Sequence, residues 1–148
     1  MKPALLDVNV LVAALDQNHV HHYRAAEWLG RNIAGGWATC AITQNGFARI
    51  VSQPSYPNPV STAQAVTILR QATSDLDHHF WPCDIQLPDA ESINLDYLLG
   101  PKQITDTYLL ALAIARGGRF ITFDQRVSPS AARNATPADL VVLSAQGA

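Results

Sequence analysis

At 148 residues the chain, 1–148, has the length of a single domain, enough to bury a core without disulfide or metal staples. Apolar residues make up 48% of it and charged residues 15%, which excludes a disordered segment. A formal charge of −2 excludes a protein that coats nucleic acid through a strongly basic surface, while leaving room for a local basic rim. Cys40 and Cys83 lie far apart with no metal-ligand spacing and read as small buried hydrophobes in a reducing compartment. Lys2 precedes an apolar run, but Asp7 and Asn9 interrupt it, so a signal peptide is not expected. No stretch reaches membrane-spanning length, and a cytoplasmic protein is the default expectation.

The first element is a short apolar strand over Ala4-Leu5-Leu6 that ends on Asp7, followed by a helix carrying Val10, Leu11, Ala14 and Leu15 on one face. Asp16-Gln17-Asn18 is a turn, and His19 to Ile33 is helical until Gly35-Gly36 stops it in a left-handed end. Trp37 to Ile42 is a second strand, after which Thr43 caps a helix from Gln44 to Val51. Prolines 54, 57 and 59 make a loop, and Ser61 or Thr62 opens the next helix. His78 to Trp81 is a third strand and Ser92 to Leu99 a helix closed by Gly100-Pro101. Thr105 caps a strongly apolar helix from Asp106 to Arg116, Arg119 to Phe123 is a strand ending on Asp124, and Leu140 to Leu143 is the last strand. Strands alternating with helices predict right-handed crossovers and a mainly parallel sheet.

Three acids share one placement. Asp7 and Asp124 end strands and Asp106 opens a helix, and in a parallel sheet strand ends and helix starts meet at one edge. Each acid alone has a plain reading as a cap or turn residue. Together, in apolar surroundings and without a matching cluster of Lys or Arg, they would repel one another, a conflict that a divalent cation resolves. Mg²⁺ or Mn²⁺ prefers such hard oxygen ligands, and an ion so held can activate water at a phosphodiester.

Four segments, Leu5-Leu6-Asp7-Val8-Asn9-Val10-Leu11, Ile42-Thr43-Gln44-Asn45-Gly46-Phe47-Ala48-Arg49-Ile50, Ile104-Thr105-Asp106-Thr107-Tyr108 and Ile121-Thr122-Phe123-Asp124, resemble in order and spacing a PIN-domain ribonuclease. More narrowly they resemble the VapC toxins of bacterial type II toxin–antitoxin pairs. The resemblance implies a three-layer α/β/α sandwich with a central, mainly parallel sheet. It further implies Mg²⁺- or Mn²⁺-dependent endoribonuclease activity on tRNA or rRNA, a VapB-type antitoxin and a homodimer. By motif position it puts Asp7, Asp106 and Asp124 at the metal and Gln44 in the catalytic set. Asn9, Thr105 and Thr122 become supporting residues. Many relatives carry Glu where this chain has Gln44, which predicts weaker metal binding, with Gln44 facing the metal and Gln44→Glu tightening Mn²⁺.

Other residues carry both a functional and a plain reading. Arg49, Lys102 and Arg126 lie near the acidic motifs and either hold the RNA backbone or are simply solvated. His19, His21 and His22 do not have spacing that converges on one ion and read as solvated or capping side chains. Trp28, Trp37 and Trp81 read as core or interface anchors. Two rival functions remain. Asp7-Val8-Asn9-Val10 is also similar to the first motif of haloacid-dehalogenase-type phosphatases, where Asp7 would be the nucleophile. A catalytically weakened nuclease fold acting through RNA or partner binding is the other.

Overall fold

A computed structural model describes residues 1–144; residues 145–148, assigned above to the same domain, lie outside the described residues. Five parallel strands form one sheet: β1 (Ala4–Leu6), β2 (Trp37–Cys40), β3 (His78–Trp81), β4 (Arg119–Thr122) and β5 (Leu140–Val142), in spatial order β3-β2-β1-β4-β5. All four pairings are parallel, with Leu5 opposite both Ala38 and Phe120. Because side chains alternate along a strand, Ala4, Leu6, Trp37 and Ile121 enter one core while Leu5, Ala38 and Phe120 enter the other. A strand buried on both faces must be apolar at every position, and β1 reads Ala-Leu-Leu for that reason.

The first core is covered by α1 (Val8–Leu15), α2 (His22–Asn32), α3 (Ala41–Val51) and α4 (Thr62–Thr73). The second is covered by α5 (Ile104–Ala115), whose Leu109, Leu110, Leu112 and Ala113 are fully buried. Helices on both faces make the expected three-layer α/β/α sandwich. Gly36 (φ 84°) and Gly117 (φ 68°) take the left-handed turns that end α2's extension and α5. Gly46 serves a different need: a Cβ there would stand 2.6 Å from a methyl of Val8, so its absence lets α3 close onto the start of α1.

Several expectations are corrected. The second strand stops at Cys40 rather than Ile42, and Cys40, not Thr43, is the N-cap of α3; Thr43 is the third helical residue, and its hydroxyl accepts from the Cys40 N–H. Residues 92–99 hold only a 3₁₀ turn (Leu95–Tyr97), because Ile93 is drawn into an antiparallel bridge with Ala132. The second helix begins at His22, since the His19 ring accepts from the His21 N–H and holds a turn there. Cys40 is buried but Cys83 is exposed, lying past the edge strand β3 where Pro82 has turned the chain into a loop. Among the described residues no helix is long and apolar enough to cross a membrane.

Candidate active site

Asp7 follows β1 directly and is the N-cap of α1, as its plain reading expects. One carboxylate oxygen accepts from the Val8 N–H at 2.7 Å, as a cap does. The other accepts from the Thr122 hydroxyl at 2.6 Å, across the sheet at the end of β4. Thr122 is a junction: its oxygen also accepts from the Asp124 N–H at 3.0 Å and, more loosely, from the Asn9 amide at 3.4 Å. Asn9 in turn accepts from the Phe123 N–H at 3.2 Å. Thr122 is fully buried and Asp7 is 7% exposed, so this lattice fixes the first acid and the backbone that carries the third.

Asp106 lies in the first turn of α5, two residues inside the helix rather than at its start, and Thr105 does not cap it. Burial, then the neighbouring carboxylates of Asp7 and Asp124, push its pKa up to about 6. Burial also raises Asp7, opposed by its bonds from Thr122 and Val8 and reinforced by Asp124. Asp124 differs. Arg126 forks onto it with Nε at 3.0 Å and Nη2 at 3.2 Å, and that side-chain bond holds its carboxyl below the usual range. At the carboxyl edge of the sheet Asp106 thus feels the charge of Asp7 and Asp124, and Asp7 that of Asp124, while Asp124 is dominated by Arg126.

Two depressions flank this rim. A cavity of about 200 Å³ on the α5 side is lined by Asp106, Asp124, Lys102, Arg126 and Tyr97. On the α3 side a shallower cleft is lined by Val8, Asn45, Gly46, Arg49, Gln53 and Thr105. Of the three cations named from sequence, Lys102 and Arg126 share a cavity with Asp106 and Asp124, whereas Arg49 lines the other cleft together with Thr105. Gln44 is the residue the structure does not bring to the acids. Its amide donates to the Thr39 hydroxyl at 3.0 Å, and its side chain lines a separate groove with Leu69, Arg70 and Thr73 of α4. The cause is the helix start: with Cys40 as N-cap, the phase of α3 turns position 44 toward α4.

Among the described residues no three His, Cys, Asp or Glu side chains stand close enough, as arranged, to make a ligand cage. Mg²⁺ needs no such cage, since it binds through one or two carboxylates and keeps much of its water. A buried carboxylate raised by two neighbouring ones, as Asp106 is, has the donor chemistry for that kind of ion. Two features of this region carried no sequence signal: Tyr97, in a turn without periodicity, and the packing of His21 against Phe123.

A parallel sheet clad with helices on both faces, with carboxylates at its carboxyl edge, is the framework of the PIN domain, whose family model matches residues 4–132. The chain is 52% identical over 140 residues to Ribonuclease VapC44 of Mycobacterium tuberculosis, covering 95% of this chain and 99% of that protein. It is 43% identical over 130 residues to Ribonuclease VapC39 of the same organism, covering 86% and 93%. The fold also matches Mycobacterium tuberculosis VapC20, a sarcin-ricin loop cleaving toxin (TM-score 0.59, 12% identity, 90% of this chain and 99% of that one). A second fold match is a chain of VapBC2 from Rickettsia felis bound to a DNA fragment from their promoter (TM-score 0.55, 17% identity, 82% and 87%). The chain belongs to the PIN-domain family, as a VapC-type ribonuclease toxin.

Proposed function

We propose that this toxin hydrolyses RNA phosphodiesters at the carboxylate rim in a Mg²⁺- or Mn²⁺-dependent reaction, with Asp7, Asp106 and Asp124 holding the ion. The observation that carries the reading is that burial and the carboxylates of Asp7 and Asp124 push Asp106 up to about 6, in a cavity that Asp124, Lys102 and Arg126 also line. When bound, such an ion supplies neutralising charge at the phosphate and acidifies water. The residues of the chain do the rest. Thr122 and Asn9 keep Asp7 and the Phe123–Asp124 backbone in register. One of the three carboxylates takes the proton of the attacking water, which enters in line at phosphorus. Lys102, Arg126 and Arg49 hold flanking phosphates, which positions the strand without reading its sequence. Cleavage leaves a 3′-hydroxyl and a 5′-phosphate.

The substrate is a single-stranded or looped segment of tRNA or rRNA, and the toxin works in the cytoplasm as a homodimer until a VapB-type antitoxin neutralises it. The VapBC2 and VapC20 structures support the partner and the substrate class. The test is incubation of the purified protein with total RNA, with and without Mn²⁺, beside Asp7→Asn. Discrete Mn²⁺-dependent fragments from the wild type and none from the variant are expected. Equal cleavage by a folded Asp7→Asn would overturn the reading.

A further inference from the structure

The rim has an aromatic feature on each face of the sheet that neither the acids nor the cations use. On the α5 face Tyr97 is 53% exposed, yet it lines the same cavity as Asp106, Asp124, Lys102 and Arg126. Its ring joins neither core cluster, and its hydroxyl bonds no described residue. The fold fixes its backbone instead: its N–H donates to the Asn94 carbonyl, and Asn94 caps the turn. On the opposite face Phe123, the residue before Asp124, packs against the α1–α4 core. The His21 ring lies 5.3 Å from the Phe123 ring at a 34° tilt, and His19 continues the row at 5.6 Å.

Phe123 and Asp124 are consecutive but belong to opposite faces, so a strand crossing the rim meets one aromatic surface before the acids and another after them. Nucleobases of unpaired RNA stack on Tyr, Phe and His rings with little regard to sequence, whereas bases inside a duplex have no free face to offer. Placed within the same cavity as two cations, an exposed tyrosine meets a base whose phosphate is already held.

Resting on the ribonuclease reading, we propose that Tyr97 and the His21–Phe123 pair are the two stacking platforms for the unpaired bases flanking the scissile phosphate, and that they restrict this site to single-stranded or looped RNA. Neither is a catalytic residue for the hydrolysis itself. They position the strand.

The experiment measures binding of a short fluorescein-labelled single-stranded RNA of mixed sequence, and of its duplex, to the full-length protein in Ca²⁺ buffer by anisotropy, with cleavage in Mn²⁺ followed in parallel. Tyr97→Ala and His21→Ala each weaken single-strand binding by at least about fivefold. Tyr97→Phe and Tyr97→Trp retain it, the salt dependence keeps its slope, and duplex binding does not change. Thermal unfolding of each variant accompanies the binding, and the Phe and Trp variants control for a loss of local structure. Equal affinity of both alanine variants for the single strand overturns the proposal, as does a loss in Tyr97→Phe as large as in Tyr97→Ala. A change of oligomeric state at unchanged RNA affinity also overturns it, by assigning Tyr97 to a protein contact. If the wild type neither binds nor cleaves RNA, the ribonuclease reading falls with it; if it does both and the alanine variants match it, only the platforms fall.

Discussion

The two edges of the sheet treat acids in opposite ways. At the amino edge Asp139, 5% exposed just before β5, has every need met: its oxygens accept from the Thr136 N–H and hydroxyl at 2.8 and 3.0 Å and from Lys2 Nζ at 3.2 Å. Burial works against its charge, but those partners outweigh it and hold the carboxyl below the usual range. At the carboxyl edge Asp106 has burial and two neighbouring carboxylates against it, only the Arg126 charge in its favour and no hydrogen-bonding partner among the described residues, and its pKa rises to about 6. One acid stabilises the fold. The other is a charge that folding disfavours, which fits the proposal that it is kept for a ligand.

The largest effect expected from this contrast is at Asp106. Asp106→Asn abolishes cleavage, by at least about a thousandfold in rate, because on the proposed reading a carboxylate that holds the ion is lost. In chelator the same variant is more stable than wild type by about 1 kcal/mol, a figure reduced for the partial exposure of the group, or roughly 2–4 °C in Tm. The sign follows from the raised pKa: the wild-type carboxylate destabilises fully above pH about 6 and not at all below its ordinary value of 3.8, so the gain shrinks across that window. Thermal scans of both proteins from pH 4 to pH 8 with EDTA check this (the pH limits being about those values).

Asp139→Asn reverses the pattern. It costs about 1–2 kcal/mol of stability while leaving cleavage per folded molecule unchanged. The lowered native pKa means that the Asp139 contribution is present above pH about 4 and is lost as pH falls through the native value, so wild type and variant converge in acid. Denaturant titrations at neutral and acid pH read the difference.

Lys102→Ala produces a smaller change. It weakens binding of single-stranded RNA irrespective of sequence and reduces the slope of log affinity against log salt by about 0.7, one phosphate contact's worth. The smallest effect belongs to Gln44→Glu. Since Gln44 bonds Thr39 and faces α4, the added charge leaves the Mn²⁺ dependence of cleavage where it is in wild type.

That last residue shows where the sequence stops being readable. Asp7, Asp106 and Asp124 are legible because a parallel sheet brings strand ends and helix starts together whatever the loops do. Thr122 and Asn9 come from the same segments, and Thr122 donates to Asp7 while Asn9 accepts from the Phe123 N–H. Gln44 depends on helix phase. A start at Ala41 rather than Gln44 turns the whole face, and the capping box from Cys40 to Thr43 that sets this start competes with Thr43's own capping propensity in the sequence. Tyr97 is hidden for another reason: a 3₁₀ turn held by Asn94 and a bridge at Ile93 follows from long-range pairing with Ala132, which no local pattern announces. Asp139's role depends on Lys2, at the far end of the chain, and was equally out of reach of periodicity.

Calorimetric titration of Mn²⁺ into wild type, Asp106→Asn and Asp139→Asn, all at neutral pH, puts the two edges in one experiment. Binding should survive in Asp139→Asn and be lost in Asp106→Asn. Equal Mn²⁺ binding by Asp106→Asn and wild type would mean that the carboxyl edge is not where the ion is held.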